Sequence, residues 1–417
     1  MEFKSLEFNI SKDTEKGIEY LYVSFYGSFY FKIPLSEVRR IDKHFKLNPK
    51  NSNEIIFTIN QEKAEKKFMF LIQRFMNELK SKITGNKTIY LHENSDIPLF
   101  GLQFIGIIDK GTDMIEVKPL TSCNLNCSFC SVGEGVKTRK QIDFVVEEEY
   151  LVDELSELLD LKVKHDPKTK ISVWINPHGE PFLYSRLLDL VKDIAELTAV
   201  KDVHIITSGT LLNKKIIDDL SDINKKVSKN KNNKLKLSIS ISTLNEKIAK
   251  KIMGLNSYDP NHVLEMIEYA TKKEIETIIT PVYLLGVNDN DIEQLIDFSK
   301  KHKLKISIQK FCSNKFGRNP IKETNWENFT EKLKEWEKLY GKELVQTGEI
   351  GKSKELERPF KKDDVIQAEI KFSGRFLRDK VAVAKDRCIL IPNCQKQTGK
   401  TKATITSTKY GVYLAKG

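Results

Sequence analysis

Three cysteines within eight residues are the strongest chemical feature of the sequence. Cys123, Cys127 and Cys130 lie in the segment Ser122–Ser131, at spacings of four and three residues. These spacings allow three thiolates to converge from one loop onto a single centre, and thiolates are the ligands of iron–sulfur clusters. A four-iron cubane held by three thiolates leaves one iron open to a ligand that is not protein. The alternatives are a zinc site, which usually takes four ligands in pairs, and three unrelated thiols.

The cysteine segment directly follows the first of six short β-branched runs, which alternate with amphipathic, helix-like stretches. Six β-then-α units in series predict a parallel sheet with right-handed crossovers. Because six is fewer than the eight units of a closed barrel, we expect an α/β chain with a partial (βα)6 barrel over residues 113–320, and functional groups at its carboxyl strand ends. The predicted strands are Met114–Lys118, Ser172–Asn176, Val203–Thr207, Leu235–Ile241, Thr277–Leu284 and Lys305–Gln309. The Lys- and Asn-rich stretch 225–234 is predicted to be a solvated loop.

The cysteine motif resembles the signature of the radical S-adenosylmethionine (SAM) superfamily. Its spacing is Cys-x3-Cys-x2-Cys, Phe129 precedes the last cysteine, and the motif follows the first strand of a βα barrel. The resemblance implies a [4Fe-4S] cluster ligated by Cys123, Cys127 and Cys130, whose open iron is chelated by SAM. It also implies reductive cleavage of SAM to a 5′-deoxyadenosyl radical that abstracts a hydrogen atom. It covers residues 113–320, about half of the chain.

The resemblance extends to the ends of the later strands. The turn Asn176–Pro181 reads Asn-Pro-His-Gly-Glu-Pro and resembles the turn of this superfamily that holds the ammonium of SAM. For each single polar residue at a strand end, an ordinary hydrogen bond is the alternative to a SAM contact. The positions that the resemblance implies for SAM binding are Phe129, Gly179, Glu180, Pro181, Ser208, Ser240, Ser242 and Asn288.

Several further residues admit more than one role. His178 in the same turn is either catalytic or a packing residue. The loop 314–320 follows the sixth predicted strand and either meets substrate phosphate through Lys315 and Arg318 or is an ordinary basic loop. Cys312, the catalytic candidate, is expected at the same barrel end as the cluster, as a reactive thiol or as a buried small hydrophobe.

Two cysteines remain near the end of the chain. Cys388 and Cys394 are spaced for a strand-and-turn contact, for a disulfide if the source is a hyperthermophile, or for a second cluster together with Cys312.

Residues outside the barrel form three further regions. Residues 1–112 contain no cysteine and predict a small α+β region, with a hairpin around Gly27 and a helix over Phe68–Leu79. Residues 321–358 predict a helical connector with apolar residues at helical spacing. Residues 359–417 alternate apolar and polar residues in five short runs, which predicts a small all-β barrel of the oligonucleotide-binding kind.

The terminal barrel is basic. It carries 13 Lys and Arg against 5 Asp and Glu, whereas the whole chain has a net charge of +11. A small basic barrel gains affinity from phosphates without reading bases. Residues 359–417 loosely resemble the TRAM domain of RNA-modifying enzymes. The alternative is that the barrel merely caps the catalytic region. If it is an RNA module, its deletion should weaken RNA binding and leave SAM cleavage intact.

Together these features predict a radical SAM enzyme that modifies RNA, with tRNA as the expected partner. The expected reaction is C–H functionalisation, such as methylation of a base or of a threonylcarbamoyladenosine-type side chain. One alternative is a tRNA methylthiotransferase, which is disfavoured because residues 1–112 lack the three cysteines of that family's second cluster. The others are a radical SAM enzyme acting on a peptide, lipid or small molecule, and a non-catalytic RNA-binding protein with a structural cluster.

The composition also bears on the compartment. No apolar run reaches the roughly 18 residues of a membrane span, and the first residues lack the apolar region of a secretory signal. Six cysteines in 417 residues are too sparse for a secreted disulfide scaffold. We therefore expect a cytoplasmic protein without a membrane partner. The resemblance further implies an electron donor of the ferredoxin or flavodoxin kind.

Overall fold

The computed structural model of the chain describes residues 1–13, 17–231, 234–345 and 350–417. Its N-terminal part is a sheet flanked by two helices, and the predicted hairpin is present as an antiparallel pair that turns at Tyr26 and Gly27, both with positive φ. The predicted helix begins earlier than expected, because Asn60 caps it by accepting a hydrogen bond from the Lys63 amide. The elements are β1 Leu6–Lys12, β2 Glu19–Phe25, β3 Phe29–Pro34, α1 Leu35–Ile41, β4 Lys46–Leu47, β5 Ile55–Ile56, α2 Gln61–Met76, β6 Lys80–Ser81 and β7 Lys87–Leu91.

The central part is the predicted partial barrel. It contains β8 Gly106–Asp109, β9 Met114–Lys118, β10 Thr121–Ser122, β11 Ile142–Val146, α3 Glu148–His165, β12 Ile171–Ile175, β13 His178–Gly179, α4 Leu187–Glu196, β14 Val200–Thr207, α5 Lys214–Lys231, β15 Lys234–Ile239, α6 Glu246–Met253, α7 Pro260–Lys272, β16 Glu276–Ile279, β17 Val282–Tyr283, α8 Asp289–Lys301, β18 Lys305–Ile306, β19 Gln309–Lys310 and α9 Trp326–Tyr340. Its curled sheet has the strand order β18-β16-β15-β14-β12-β9-β8. The first six are parallel and stand in chain order, which confirms the predicted βα succession, and β8 pairs antiparallel with β9.

The two faces of this sheet differ in chemistry. Side chains such as Ile115, Val173 and Ile205 are buried on the face that the helices cover. The opposite face carries polar residues in register, with Trp174 beside His204 on neighbouring strands. The two rings stack at 4.4 Å with an interplanar angle of 8°. Because only the helix-covered face of the sheet is apolar, the opposite face is available to a ligand.

The sheets cross the boundary predicted at residue 112. Strand β8 lies before that boundary but extends the central sheet, and β11 lies after it but pairs in parallel with β7 of the N-terminal sheet. Helix α9 lies in the region predicted as a connector and buries Phe329, Leu333 and Trp336. Beyond Gly341, which ends the helix with φ 60°, the described residues of the connector are not helical.

One predicted loop is wrong. Helix α5 continues to Lys231, through most of the stretch predicted as a solvated loop. Leu220 and Val227 are both buried on the helix and extend its apolar stripe, which outweighs the polar composition. Residues 232–233 lie outside the described part of the chain. None of the helices within the described residues combines the length and apolarity that a membrane span requires.

The C-terminal part is the predicted small barrel. Five strands close in the order β20-β21-β22-β24-β23, with β22 and β24 parallel. A separate apolar core, which includes Ile370, Ile389 and Ile405, fills it. This connectivity is that of a five-stranded Greek-key barrel, in which the loops between strands 1 and 2 and between strands 4 and 5 commonly contact oligonucleotides. The strands are β20 Val365–Ser373, β21 Lys380–Ala384, β22 Arg387–Ile391, β23 Gly399–Ser407 and β24 Tyr413–Lys416.

Candidate active site

The cysteine loop and the Gly-Glu-Pro turn lie side by side. Strand β10, which leads into Cys123, pairs in parallel with β13, and Ser122 stands opposite Gly179. A Cβ atom at position 179 would lie 1.9 Å from the carbonyl oxygen of Ser122. Only glycine permits this approach, so the glycine of the turn is required by contact with the cysteine loop. Two motifs more than 50 residues apart in the sequence are therefore joined at one edge of the barrel.

Glycines from other segments also approach the cysteine loop closely. Cβ atoms built on them would lie 2.0–2.8 Å from backbone oxygens of the loop or of its neighbour Phe316. These contacts hold the loop backbone from several sides, and they show why the segments around it contain glycine. The residues are Gly133, Gly135, Gly254 and Gly317.

Arg318 fastens the cysteine loop from the far side of the barrel. Its guanidinium donates to the carbonyl oxygen of Cys127 at 2.8 Å, to Oδ1 of Asn126 at 2.6 Å and to the carbonyl oxygen of Glu134 at 2.9 Å. Its amide donates to the carbonyl oxygen of Cys130 at 2.9 Å. Arg318 was predicted either to meet substrate phosphate or to belong to an ordinary basic loop. In the structure its guanidinium is used to hold the backbone of the cysteine loop.

The three thiols are free and half-buried. Burial raises the pKa of Cys127 to about 12, with the neighbouring Cys130 adding to the shift and Arg318 opposing it. Burial also raises the pKa of Cys123 well above its ordinary value, and the charges of Cys127 and Glu180 add to this. Cys123 and Cys127 are therefore close enough to influence one another, and their raised pKa values favour the protonated thiols in the absence of metal. Metal binding deprotonates such thiols and releases protons.

The donor set fits an iron–sulfur cluster. Within the described residues, no three His, Cys, Asp or Glu side chains converge on a point that one metal ion could occupy. A cubane binds each thiolate at a different iron, so its ligands do not need to share one ion. Three mutually interacting thiols on one glycine-enclosed loop match that requirement. Cys123, Cys127 and Cys130 would hold the cluster.

Glu180 ties the turn to the end of β14. Its carboxylate is buried and accepts hydrogen bonds from Oγ1 of Thr207 at 2.6 Å and from the amide and Oγ of Ser208 at 2.9 and 2.6 Å. Burial raises the pKa of Glu180, and these hydrogen bonds oppose the rise. Pro181 follows and starts a short 3-10 helix. The turn is thus fixed to two neighbouring strand ends.

Asn124 extends this network to the cysteine loop. Its Nδ2 donates to Oγ1 of Thr210 at 3.0 Å, and Thr210 lies 2.9 Å from Oγ of Ser208. The Oδ1 of Asn124 is buried without a partner. Neither Asn124, which follows Cys123, nor Thr210, two residues after Ser208, was predicted from the sequence. The unpaired Oδ1 leaves an acceptor at the edge where SAM is expected.

The fourth and fifth strand ends are joined through Asn288. Its Nδ2 donates to the carbonyl oxygens of Ser242 and Val282 at 2.8 and 2.9 Å, and its Oδ1 accepts from the Leu284 amide at 2.8 Å. Oγ of Ser242 accepts from the Val282 amide at 3.1 Å. These side chains position the loop that follows β16. Their contact with SAM, and that of Phe129 and Ser240, stays a prediction; Phe129 packs half-buried against the main core.

The three remaining cysteines are dispersed. Cys312 is half-buried, and its Sγ lies 3.7 Å from the carbonyl oxygen of Lys310. Cys388 is buried, with Sγ 3.2 Å from the carbonyl oxygen of Pro98, whereas Cys394 belongs to the core of the small barrel. Cys388 and Cys394 are both free, so they do not form the disulfide considered for them. Cys388 packs in the main core and Cys394 in the core of the small barrel, so the two thiols do not share one site.

His178 is enclosed rather than presented to a ligand. It is buried, and its Nδ1 lies 3.1 Å from the guanidinium of Arg375, which belongs to the small barrel. Burial, aided by the charges of Lys118 and Arg375, lowers its pKa well below the ordinary value. Of the two roles open to His178, the structure favours packing.

Parts of the chain are similar to known proteins. The sequence profile of the radical SAM superfamily matches residues 117–299. An uncharacterized protein of Methanocaldococcus jannaschii is 34% identical over 374 residues, covering 81% of this chain and 82% of the relative. A GTP 3′,8-cyclase of Thermodesulfovibrio yellowstonii is 24% identical over 204 residues, covering 49% of this chain and 57% of the cyclase. Streptococcus suis SuiB bound to S-adenosylmethionine has a TM-score of 0.39 and 17% identity, over 68% of this chain and 55% of SuiB.

The chain therefore contains a domain of the radical SAM superfamily, over residues 117–299. Its cofactors are a [4Fe-4S] cluster and SAM, as predicted from the cysteine motif. The chain spans little more than half the length of the cyclase and of SuiB.

Proposed function

We propose that the protein cleaves SAM reductively and functionalises a C–H bond of a tRNA nucleotide. The observation that supports the chemistry is the direct backbone contact between Ser122 in the cysteine loop and Gly179 in the Gly-Glu-Pro turn. When bound, the cluster and SAM supply a 5′-deoxyadenosyl radical. The chain's own residues hold the thiol loop against the turn, and Glu180 fixes the turn to the end of β14.

The polar face of the curled sheet is the proposed place for the reacting nucleotide. A row of side chains runs across it in register, and it includes the stacked Trp174 and His204. Nδ1 of His204 is buried without a partner. Neighbours in the row are charged and paired, as Lys236 is with Asp202 at 2.9 Å. An aromatic and polar surface of this kind suits a base that is splayed out of a tRNA loop.

Exposed lysines on the small barrel support RNA as the partner. Ten of its thirteen Lys and Arg residues are exposed. Four of the exposed lysines lie on the outer face of β20, β23 and β24, where Lys400 and Lys402 stand opposite Glu369 and Gln367. Lysines on a strand face contact phosphates and position a nucleic acid without reading its sequence. The four are Lys371, Lys400, Lys402 and Lys416.

A small nucleotide is the second candidate substrate. The observation that favours it is that both barrel loops which commonly contact oligonucleotides face the rest of the protein. Arg375 of the β20–β21 loop is buried, and a Cβ atom at Gly411 of the β23–β24 loop would lie 3.4 Å from the carbonyl oxygen of Asp109. The similarity to GTP 3′,8-cyclases over about half of the chain agrees with this candidate. On this alternative, the barrel packs against the catalytic part and does not bind RNA.

Nucleoside mass spectrometry of tRNA from a strain that lacks the gene tests the proposal. A missing modified nucleoside supports it, and an unchanged profile contradicts it. In vitro, 5′-deoxyadenosine formation under dithionite is compared with bulk tRNA and with GTP as the added substrate. If GTP stimulates 5′-deoxyadenosine formation and tRNA does not, the substrate is the small nucleotide rather than tRNA. In the cell we propose a ferredoxin- or flavodoxin-like protein as the electron donor, since radical SAM enzymes require one.

The lysine face is tested by charge reversal. The double variant K400E/K402E should weaken tRNA binding and reduce the slope of log affinity against log salt by about 2. The matched control is K164E/K168E, which reverses two exposed lysines before β12, at the opposite end of the strands from the cysteine loop. An equal loss of tRNA affinity in both variants would show that binding depends on the total charge of the protein and not on the lysine face of the barrel.

A further inference from the structure

The loop between β20 and β21 leaves the small barrel and enters the active-site region of the large one. Arg375 at its start is only 6% exposed. Its guanidinium donates to the carbonyl oxygen of Val132 at 3.0 Å, forms an ion pair with Glu134, and lies 3.1 Å from Nδ1 of His178. Its own carbonyl oxygen accepts from the Gln141 amide at 2.7 Å. A residue of the C-terminal barrel thus lies within the radical SAM part of the chain.

These contacts join the two motifs of the cysteine site. Val132 and Glu134 lie two and four residues after Cys130, whereas His178 immediately precedes Gly179 in the turn. Because a guanidinium has only donors, Nδ1 of His178 must be the acceptor, and the imidazole is neutral. The planar fork of arginine reaches three acceptors in different directions at once. Arg375 therefore spans the gap between the end of the cysteine loop and the turn.

The charge of Arg375 belongs to a buried network that also reaches the start of the loop. Glu134 pairs with Lys140 as well as with Arg375, and Lys140 lies 2.6 Å from Asp143. Asp143 in turn accepts from Oγ of Ser122 at 3.1 Å, next to the first cysteine. Two cations and two anions balance within this group. Removing one cation leaves a buried carboxylate short of a partner, which is strongly unfavourable.

A second contact from the same loop reaches the other support of the cysteine loop. The ring of Phe376 stacks on Phe316 with centroids 4.9 Å apart and an interplanar angle of 16°. Phe316 lies two residues before Arg318, whose guanidinium donates to the Cys127 carbonyl oxygen. The β20–β21 loop therefore braces both sides of the cysteine loop, through Arg375 on one side and through Phe376 on the other.

We propose that Arg375 is a positioning residue for the iron–sulfur cluster, and that the C-terminal barrel is a working component of the cluster site. In this role the barrel braces the segment after Cys130 against the Gly-Glu-Pro turn. The sequence alone predicted that removal of residues 359–417 would leave SAM cleavage intact; this inference predicts that SAM cleavage is lost as well. It does not depend on the identity of the substrate.

The test compares Arg375→Gln with Arg378→Gln in the full-length, anaerobically reconstituted holoenzyme. Arg378 lies on the same loop and is exposed, so it is a matched control. The readouts are iron content, the rate of cluster loss to a chelator, and the change in the electron paramagnetic resonance spectrum of the reduced cluster on addition of SAM. We expect cluster loss to be about 10- to 100-fold faster in Arg375→Gln, as for other residues that orient metal ligands, and unchanged in Arg378→Gln.

Arg375→Lys separates positioning from charge. Lysine keeps the positive charge but cannot reach Val132, Glu134 and His178 together. We expect Arg375→Lys to lose its cluster faster than the wild type, with an altered spectral response to SAM. Wild-type retention in Arg375→Lys would overturn the positioning role, as would wild-type retention and spectra in Arg375→Gln. Thermal melting of the metal-free proteins checks folding, and if Arg375→Gln does not fold, Arg375→Lys alone decides.

Discussion

Replacing Gly179 with alanine should disconnect the two halves of the cofactor site. The new Cβ atom would lie 1.9 Å from the carbonyl oxygen of Ser122 and 2.7 Å from its carbonyl carbon and amide nitrogen. All three are backbone atoms, so no side chain can move away to make room. The paired strands β10 and β13 must separate by roughly 1 Å before the contact between the new Cβ atom and Ser122 is tolerable, because closely packed interiors contain few voids that could absorb the extra atom.

The size of the effect follows from that displacement. A 1 Å misplacement of reacting groups costs about 100-fold in rate. Overpacking of this kind costs about 1–3 kcal/mol of stability, which a typical domain survives. We therefore expect Gly179→Ala to fold and to form 5′-deoxyadenosine under dithionite about 100-fold more slowly than the wild type.

The control is Gly351→Ala, at a glycine that also lacks a positive φ. There the nearest atom to a new Cβ is Oδ2 of Asp113 at 2.8 Å, the end of a side chain that can rotate away. The assay is chromatography with mass detection of 5′-deoxyadenosine, together with thermal melting. A Gly179→Ala protein with a wild-type rate would refute the reasoning, because the two motifs would then not need their close contact.

Three further predictions concern the cluster, a buried ion pair and pH. Cys127→Ala should abolish both the colour of the reconstituted cluster and SAM cleavage; a coloured, active variant would show that Cys127 is not a ligand. Lys162 is buried and binds Asp109 at 2.9 Å and the Lys354 carbonyl oxygen at 2.6 Å. Lys162→Met should therefore cost about 3–5 kcal/mol in denaturant unfolding, and a cost below 1 kcal/mol would contradict it. Burial, with the charges of Glu157 and Asp386, raises the pKa of Glu154 to about 7, against the partial opposition of Arg387. A carboxyl whose pKa is raised by folding stabilises the protein at low pH and loses this contribution as the pH rises through 7. The melting temperature of Glu154→Gln should therefore fall less between pH 5 and 8 than that of the wild type. An equal fall in the variant and the wild type would contradict the raised pKa of Glu154.

The prediction from the sequence succeeded where the signal was local or periodic. Alternating apolar runs and amphipathic stretches predicted the parallel succession of the central sheet, and the spacing of Cys123, Cys127 and Cys130 predicted the cofactors. Short alternating runs predicted the terminal barrel. The helical end of α5 was predicted wrongly, because burial of Val227 outweighs the polar composition around it.

Contacts between distant segments could not be predicted in the same way. Asn124, Thr210 and Arg318 act through partners that are far away in the sequence, and neither periodicity nor composition carries that information. The same holds for Cys388, whose amide donates to the Phe100 carbonyl oxygen at 2.9 Å where the small barrel meets the rest of the protein. The sequence predicted that this barrel would be a separate module.

The sequence by itself indicated the cofactors, because three thiols at this spacing on one loop match the radical SAM signature before the chain is folded. Only the tertiary structure decided what surrounds the loop. Arg375 and Glu134 are 241 residues apart in the chain, and their pairing depends on how the C-terminal barrel docks. Buried charges must find partners whatever their distance along the chain, so pairs of this kind can be identified only from the folded structure.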